Sequence, residues 1–383
     1  MRNSLFPPLR HATVATLALA GICAPGALAA PAAPPSPEKD RLPFTERYHA
    51  LQHGGIVRAA NASVSCRAAQ AVTAGSKAPS CSSVRKGKAA GVNGHFGMTY
   101  IDVDKDPNTY NSSRAEVRLP KGSRVSYARL YWGGNLRVGE QKPQKDNGRV
   151  LIAEPGGAYK ELLADTVVGH RVANGADAFQ ASANVTRLVR DSKPGLYTVA
   201  QVNVAKGRSR AGAWGGWTLV VAYENRAQPL RRLALWDGFD ALHSRNSKDS
   251  KTGLGLGRFG LRFPAGAGGR AGLVTYDGDR GLSGESLRLT TTRRAAGAER
   301  TAVTALTGPA NPRGDVLNST ISQPGTFQPK RVPAYANTLG YDSDVFDLAP
   351  ALRHGGNRLA FRLTSPKDQA WAGALFAAVD AQR

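Results

Sequence analysis

The residues in this chain best suited to chemistry are three alternating carboxylates, Asp102, Asp104 and Asp106, inside Tyr100–Ser113, YIDVDKDPNTYNSS. On an extended backbone, alternate side chains fall on one side, so these carboxylates converge. Converging carboxylates repel unless a cation sits among them, and hard oxygen ligands suit calcium. A helix-loop-helix calcium loop is excluded, because Pro107 stands where that loop needs glycine and Ser113 where it needs glutamate. A looser calcium site completed by Asn108 or Asn111 remains as an expectation. The alternative is an acidic turn satisfied by arginines or by Asx bonds to its own backbone. Asp277/Asp279 and Asp342/Asp344, the latter followed by Asp347, repeat the motif more weakly. Asp237 and Asp240 flank Gly238-Phe239 and read as a turn.

The five tryptophans are Trp132, Trp214, Trp217, Trp236 and Trp371. Aromatic faces can stack on sugar rings, but Trp132, Trp217 and Trp371 recur at equivalent places in an internal repeat and read as core. Trp214, beside Gly212 and Gly215-Gly216, is the candidate for an exposed ligand-binding platform. Nucleophile machinery is missing from the sequence. There is no Gly-x-Ser-x-Gly elbow, no His-Glu-x-x-His and no phosphate-binding glycine loop. Paired-carboxylate glycoside hydrolysis stays open, since its two acids can be far apart in sequence. No catalytic residue is assigned, and the chain reads as a non-enzyme.

Residues 1–29 have the form of a secretory signal: Arg2 and Arg10, the apolar run Ala12–Ile22, and a small-x-small site at Ala27-Leu28-Ala29. Ile22 before Cys23 does not suit lipid attachment. No other segment reads as a membrane helix and no covalent anchor is expected. Of the three cysteines, Cys66 and Cys81 then remain, and an even pair in an exported chain predicts a disulfide. Formal net charge is +23, which favours anionic partners such as cell-wall polymers or acidic glycans. The basic residues are scattered and no nucleic-acid motif accompanies them, so specific nucleic-acid binding is not expected.

Ala30–Pro37 reads as a proline-rich spacer, and residues 38–90 as an irregular arm around the disulfide with one strand at Gly55–Val64. From His95 onward the pattern is strand after strand, punctuated by Gly, Pro and Asn. Trp217–Tyr223 and Leu233–Trp236, joined by Glu224–Pro229, read as a central hairpin. Short helices are expected at Val185–Arg190 and Leu348–Arg353. Four blocks recur in order. Val125–Gly134 is echoed by Gly272–Asp279, Ala164–Gly169 by Ala336–Gly340, Ala183–Val204 by Val345–Leu363, and Trp217–Glu224 by Trp371–Asp380. The predicted fold is all-β: two tandem, diverged, jelly-roll-like β-sandwiches, at 91–245 and 250–383, after the disulfide-bearing arm at 30–90.

The run Ile101–Ser113, then ARLYWGG (Ala128–Gly134), LYTVAQV (Leu196–Val202) and GWTLVVAYENRAQPLRRLALWDGF (Gly216–Phe239), resembles an uncharacterised N-terminal β module of secreted and cell-surface proteins of Gram-positive bacteria. Members of that group often carry isopeptide-forming or Ig-like repeats downstream. The resemblance implies a surface or secreted role and carries over no catalytic residue. Charge, signal and repeat together predict a secreted, non-enzymatic envelope protein binding anionic wall polymer or glycan. The alternatives are a calcium-dependent carbohydrate-binding module and a glycan hydrolase.

Overall fold

The computed structural model describes residues 42–67, 79–173, 175–242, 253–295, 297–325, 328–367 and 369–382. The expected signal, Cys23 and the proline-rich spacer lie outside the described residues. In chain order the strands are β1 (Leu42–Ala62), β2 (Val64–Cys66), β3 (Met98–Tyr100), β4 (Ser112–Val117), β5 (Arg124–Asn135), β6 (Arg149–Ala153), β7 (Lys160–Leu163), β8 (Thr166–Ala173), β9 (Ala176–Asn184) and β10 (Gly195–Ala200). They continue as β11 (Gly215–Glu224), β12 (Leu230–Ala241), β13 (Leu254–Phe263), β14 (Gly269–Tyr276), β15 (Ser286–Ala295), β16 (Ala298–Leu306), β17 (Arg331–Val332), β18 (Tyr341–Asp347), β19 (Gly356–Thr364) and β20 (Trp371–Asp380). Short helices α1 (Cys81–Arg85), α2 (Thr186–Arg190) and α3 (Ala349–Leu352) join some of them. The protein is all-β, and the two short helices expected from sequence are present as α2 and α3.

Hydrogen-bonded neighbours run β18-β14-β20-β12-β1-β11-β5-β9-β8, with further sheets β17-β4-β10-β6-β7 and β13-β19-β15-β16. The long sequence of neighbours is not one flat layer. β1 spends its first half, Leu42–His53, on β12 and its second half, Gly54–Ala62, on β11. It is a strand that switches sheets at a corner, a known way of joining two packed sheets. Two inner sheets result, and each is covered on its far side by one of the smaller outer sheets.

Side-chain alternation shows the layering. On β11, Trp217, Leu219 and Val221 pack with Val150, Ile152, Tyr197 and Val199 of the first outer sheet. On β14 and β20, Leu273 and Leu375 pack with Leu287, Leu289 and Phe361 of the second. The opposite faces of both inner sheets meet in a third core containing Tyr131, Trp214, Val220, Phe239, Tyr276 and Tyr341. Thr218 and Tyr341 share a hydrogen bond of 2.7 Å across this seam. A strand buried on both faces must be apolar or carry polar groups that are bonded, which is why Trp217–Tyr223 is apolar except for Thr218, whose hydroxyl is bonded to Tyr341. The order β4-β10-β6-β7 in one outer sheet matches β13-β19-β15-β16 in the other, and β11-β5-β9 matches β20-β14-β18.

Four expectations need correction. The arm assigned to 38–90 instead begins with β1, which is central to the hydrogen-bonded order and starts at Leu42 rather than Gly55. β11 and β12 do not pair as a hairpin: each pairs with β1, and the turn between them carries the chain from one inner sheet to the other. β12, assigned to the first sandwich, therefore bonds within the second, between β1 and β20. Asp237–Asp240 is no turn but a register shift inside β12. The Asp237 carboxylate there accepts from Tyr131 at 2.8 Å and from Arg47 at 2.8 and 3.0 Å. The disulfide is formed as expected, Cys66 to Cys81, with Cα atoms 5.8 Å apart.

Candidate anion-binding cleft

The acidic loop satisfies itself. Ser112 Oγ lies 3.0 Å from Asp102 Oδ1 and 2.8 Å from Asp104 Oδ1, and Tyr159 donates to the other oxygen of Asp104. Asp106 turns away and accepts from both the backbone and side-chain N–H of Asn108 at 2.9 Å. Lys105 adopts a left-handed φ of 55°, so the backbone curls and the strict alternation that would align the carboxylates is lost. Burial works to raise the Asp104 carboxyl, but hydrogen bonds from Tyr159, Ser112 and the Asp106 N–H outweigh it and hold it below its usual range. Asn111 is spent on Val202, through its carbonyl 2.8 Å away and its N–H. Among the described residues no group of three His, Cys, Asp or Glu side chains is placed to hold a metal.

Asp342 and Asp344 are likewise buried acceptors of Thr320 and Ser322 donors. Asp347 accepts the Ala349 N–H that opens α3. Trp214 is no platform. It is 0% exposed, and its ring lies 6.0 Å from that of Tyr276 inside the seam. Its glycine neighbours serve close packing: a Cβ on Gly340 would stand 2.6 Å from the Trp214 Cβ. Trp132, Trp217, Trp236 and Trp371 are buried as well.

What the fold does assemble is a cleft of ≈ 490 Å³ at the sheet-switching corner, where the seam between the inner sheets reaches the surface. Its lining includes Arg58 of β1, Arg118 just beyond β4, Arg231 of β12 and Arg270 of β14, with Asp347 as the acidic member. Tyr223, Gln228 and Gln323 add hydroxyl and amide groups. Arg231 is fixed by Asp380 at 2.8 Å and by the Gly54 carbonyl at 2.7 Å. Arg58 is 4% exposed and donates to the Ser322 carbonyl at 2.7 Å. Arg270, held in β14 between β18 and β20, is exposed. Burial raises the Tyr223 hydroxyl, while the charges of Arg231 and Arg270 work to lower it. Guanidinium forks with amide and phenol groups around an open cleft suit an acidic group carried on a polar polymer.

The cleft has no contiguous signature in the sequence, because its arginines come from four separated segments. The one local signal is Arg58 itself, a lone charge inside the apolar run Ile56–Ala60. The other end of the seam holds a cavity of ≈ 400 Å³ lined by Asn93, Arg210, Asp277, Asp279, Lys367 and Gln369, among others. Asp277 has a left-handed φ of 61°, and its Oδ1 accepts from Asn93 at 2.8 Å.

No family model and no curated protein sequence matches this chain. Among solved structures, the chain is similar to a recombinant N-glycanase F (PNGase F), with 11% identity over 71% of this chain and 96% of that one, at a TM-score of 0.19. It is also similar to PNGase F, a glycosylasparaginase from Flavobacterium meningosepticum, with 13% identity over 74% of this chain and 95% of that one, at a TM-score of 0.18. At such TM-scores the likeness carries no argument about fold or activity.

Proposed function

We propose that this is an exported, non-enzymatic envelope protein that binds an acidic glycan or other anionic wall polymer in the arginine cleft. The observation that carries it is the convergence of Arg58, Arg118, Arg231 and Arg270 on one cleft whose lining includes a single carboxylate, Asp347. The matching strand orders of the two sandwiches support their descent from one duplicated module. Such a duplication supplies two binding-type scaffolds and a seam between them. The disulfide supports passage through an oxidising compartment. Among the described residues no helix is long and apolar enough to cross a membrane.

Calorimetric titration with oligogalacturonate, against a neutral oligosaccharide of equal length, tests the cleft. Arg270→Gln or Arg118→Gln should weaken uronate binding about three- to tenfold each, as expected for exposed charge contacts. Raising salt should weaken it further through screening. Equal affinity for the neutral and the acidic oligosaccharide would sink the proposal.

A second reading, glycan hydrolysis, is favoured by one feature: Asp277 and Asp279 line the same cavity at the far end of the seam. Release of reducing ends from a glycan, lost in Asp279→Asn, would support it. An inert protein across neutral and acidic glycans would remove it.

A further inference from the structure

Among the charged residues lining the cleft, only Arg58 is buried. Register puts it there: Ile56, Arg58 and Ala60 share the face of β1 that turns toward the seam. Its Nη2 is satisfied by Ser322, but its Nε–H has no acceptor. Buried donors are nearly always matched, so a desolvated guanidinium N–H with nothing to bond points to a missing acceptor. Arg331, two residues beyond Pro329 of the cleft lining, repeats the situation. Its Nη2 donates to the Tyr335 carbonyl at 3.0 Å, while its Nη1 is buried without an acceptor.

The two guanidinium groups are near enough for the Arg58 charge to add to burial in lowering Arg331 to about 10. Burial alone drives Arg58 to about 10, with Asp344 and Tyr341 opposing it. Asp344 is their internal counter-charge, yet it is no direct partner. Its oxygens accept from Thr320 Oγ1 at 3.0 and 3.1 Å, and from the Ser322 N–H and Oγ at 2.8 and 2.6 Å. Arg58 and Arg331 against Asp344 leave one net positive charge beside the cleft, whose lining holds Arg58 itself and, next to Arg331, Pro329. A singly charged group would neutralise it, whereas a dianion would overshoot in a setting where uncompensated charge is expensive.

Building on the cleft assignment, we infer that Arg58 and Arg331 form the seat for one singly charged acidic group of a bound glycan, a uronate carboxylate or a sulfate ester, with Asp344 setting the seat's charge. The test uses the whole protein with trigalacturonate and a sulfated trisaccharide of similar size as separate probes. Asp344→Asn keeps an oxygen for the Ser322 and Thr320 donors, so the fold should survive, and it raises the seat by one positive charge. Its affinity for the cognate probe should rise at least about tenfold, given the strength of a nearby unscreened charge. A purely structural Asp344 gives no such gain. Arg58→Gln should abolish binding, with circular dichroism and melting temperature reporting whether it folds. The probe that gains in Asp344→Asn identifies the acidic group. Binding that weakens in Arg270→Gln yet ignores Asp344→Asn overturns this inference alone. No binding of either probe by the unaltered protein overturns the cleft assignment and this inference with it.

Discussion

Gly54→Ala should be among the most damaging single-methyl additions to this protein, and its effect can be worked out from the corner it occupies. Gly54 has a φ of 144°, a conformation reserved almost wholly for glycine. A Cβ there would lie 1.9 Å from the Tyr223 carbonyl oxygen and 2.9 Å from its carbon. Those atoms are backbone and cannot swing aside. Gly54 is opposite Glu224 and Gly55 opposite Tyr223 in the ladder, while the Gly54 carbonyl is held by Arg231. Backbone strain contributes about 1–3 kcal/mol and overpacking about as much again, roughly 1–3 kcal/mol. The expected loss is therefore about 2–6 kcal/mol. Gly122→Ala is the control: Gly122 has a φ of 80° but nothing within 4 Å of its notional Cβ, so only the left-handed term of about 1–2 kcal/mol applies. Urea unfolding of both variants gives the comparison directly. Because Gly55, Arg58 and Tyr223 line the cleft, Gly54→Ala should also weaken uronate binding where it is still folded. If both variants lose the same stability, the corner is not the constraint argued here.

Replacing both Cys66 and Cys81 by Ser opens a loop of sequence separation 15, which should lower stability by about 3 kcal/mol by loop entropy; unchanged urea midpoints with and without reductant would contradict this. Asp344 is pushed up to about 6 by burial, against hydrogen bonds from Ser322 and Thr320 and the charge of Arg58. A carboxyl raised above its unfolded value of about 3.9 contributes stability that is present below that value and lost as pH rises through about 6. The stability of Asp344→Asn relative to the unaltered protein should therefore climb between about pH 4 and 7, and a flat difference would refute the assignment. Chelation with EDTA should shift the melting temperature by less than about 1 °C, since an ion bound to the native state would stabilise it by mass action. A large shift would return Asp102 and Asp104 to the list of calcium ligands.

Strand identity was largely legible because it rests on local composition. Trp217–Tyr223, Val125–Trp132 and Val150–Ala153 all lie within strands whose apolar residues fill the cores. Partnership was not legible. Leu42–His53 is half polar and half exposed along its length, with Leu51 59% exposed, so it reads as an arm even though it pairs with β12 from end to end. The Gly54-Gly55 pair looks like a stop and is instead the corner that lets one strand serve two sheets. Glu224–Pro229 has the composition of a hairpin turn, and nothing local reveals that β1, far upstream, pairs with both flanking strands. Trp214 failed for a related reason. Glycines beside an aromatic residue suit an exposed platform and a tight burial equally well, and here Gly340 packs onto it. The acidic loop failed on backbone conformation, since one left-handed residue at Lys105 breaks the alternation on which a shared calcium site depends.

The cleft follows from the same partnership. Where the inner sheets face each other, their strands have little room for unpaired polar groups, and a charge such as Asp237 is kept there only with partners. Open charged clefts form where the seam ends. At one end the corner of β1 and the first residues of β12 and β14 bring Arg58, Arg231 and Arg270 together, and at the other the loop after β14 brings Asp277 and Asp279. The arginine cleft draws on both sandwiches at once: Arg58 lies on the β11-paired half of β1, while Arg231 and Arg270 lie on strands of the second inner sheet. A lone sandwich would present half of it. Under the proposed function, affinity for an anionic group in the cleft would therefore report on the packing between the two sandwiches, and a substitution inside the seam should reach the cleft without touching it.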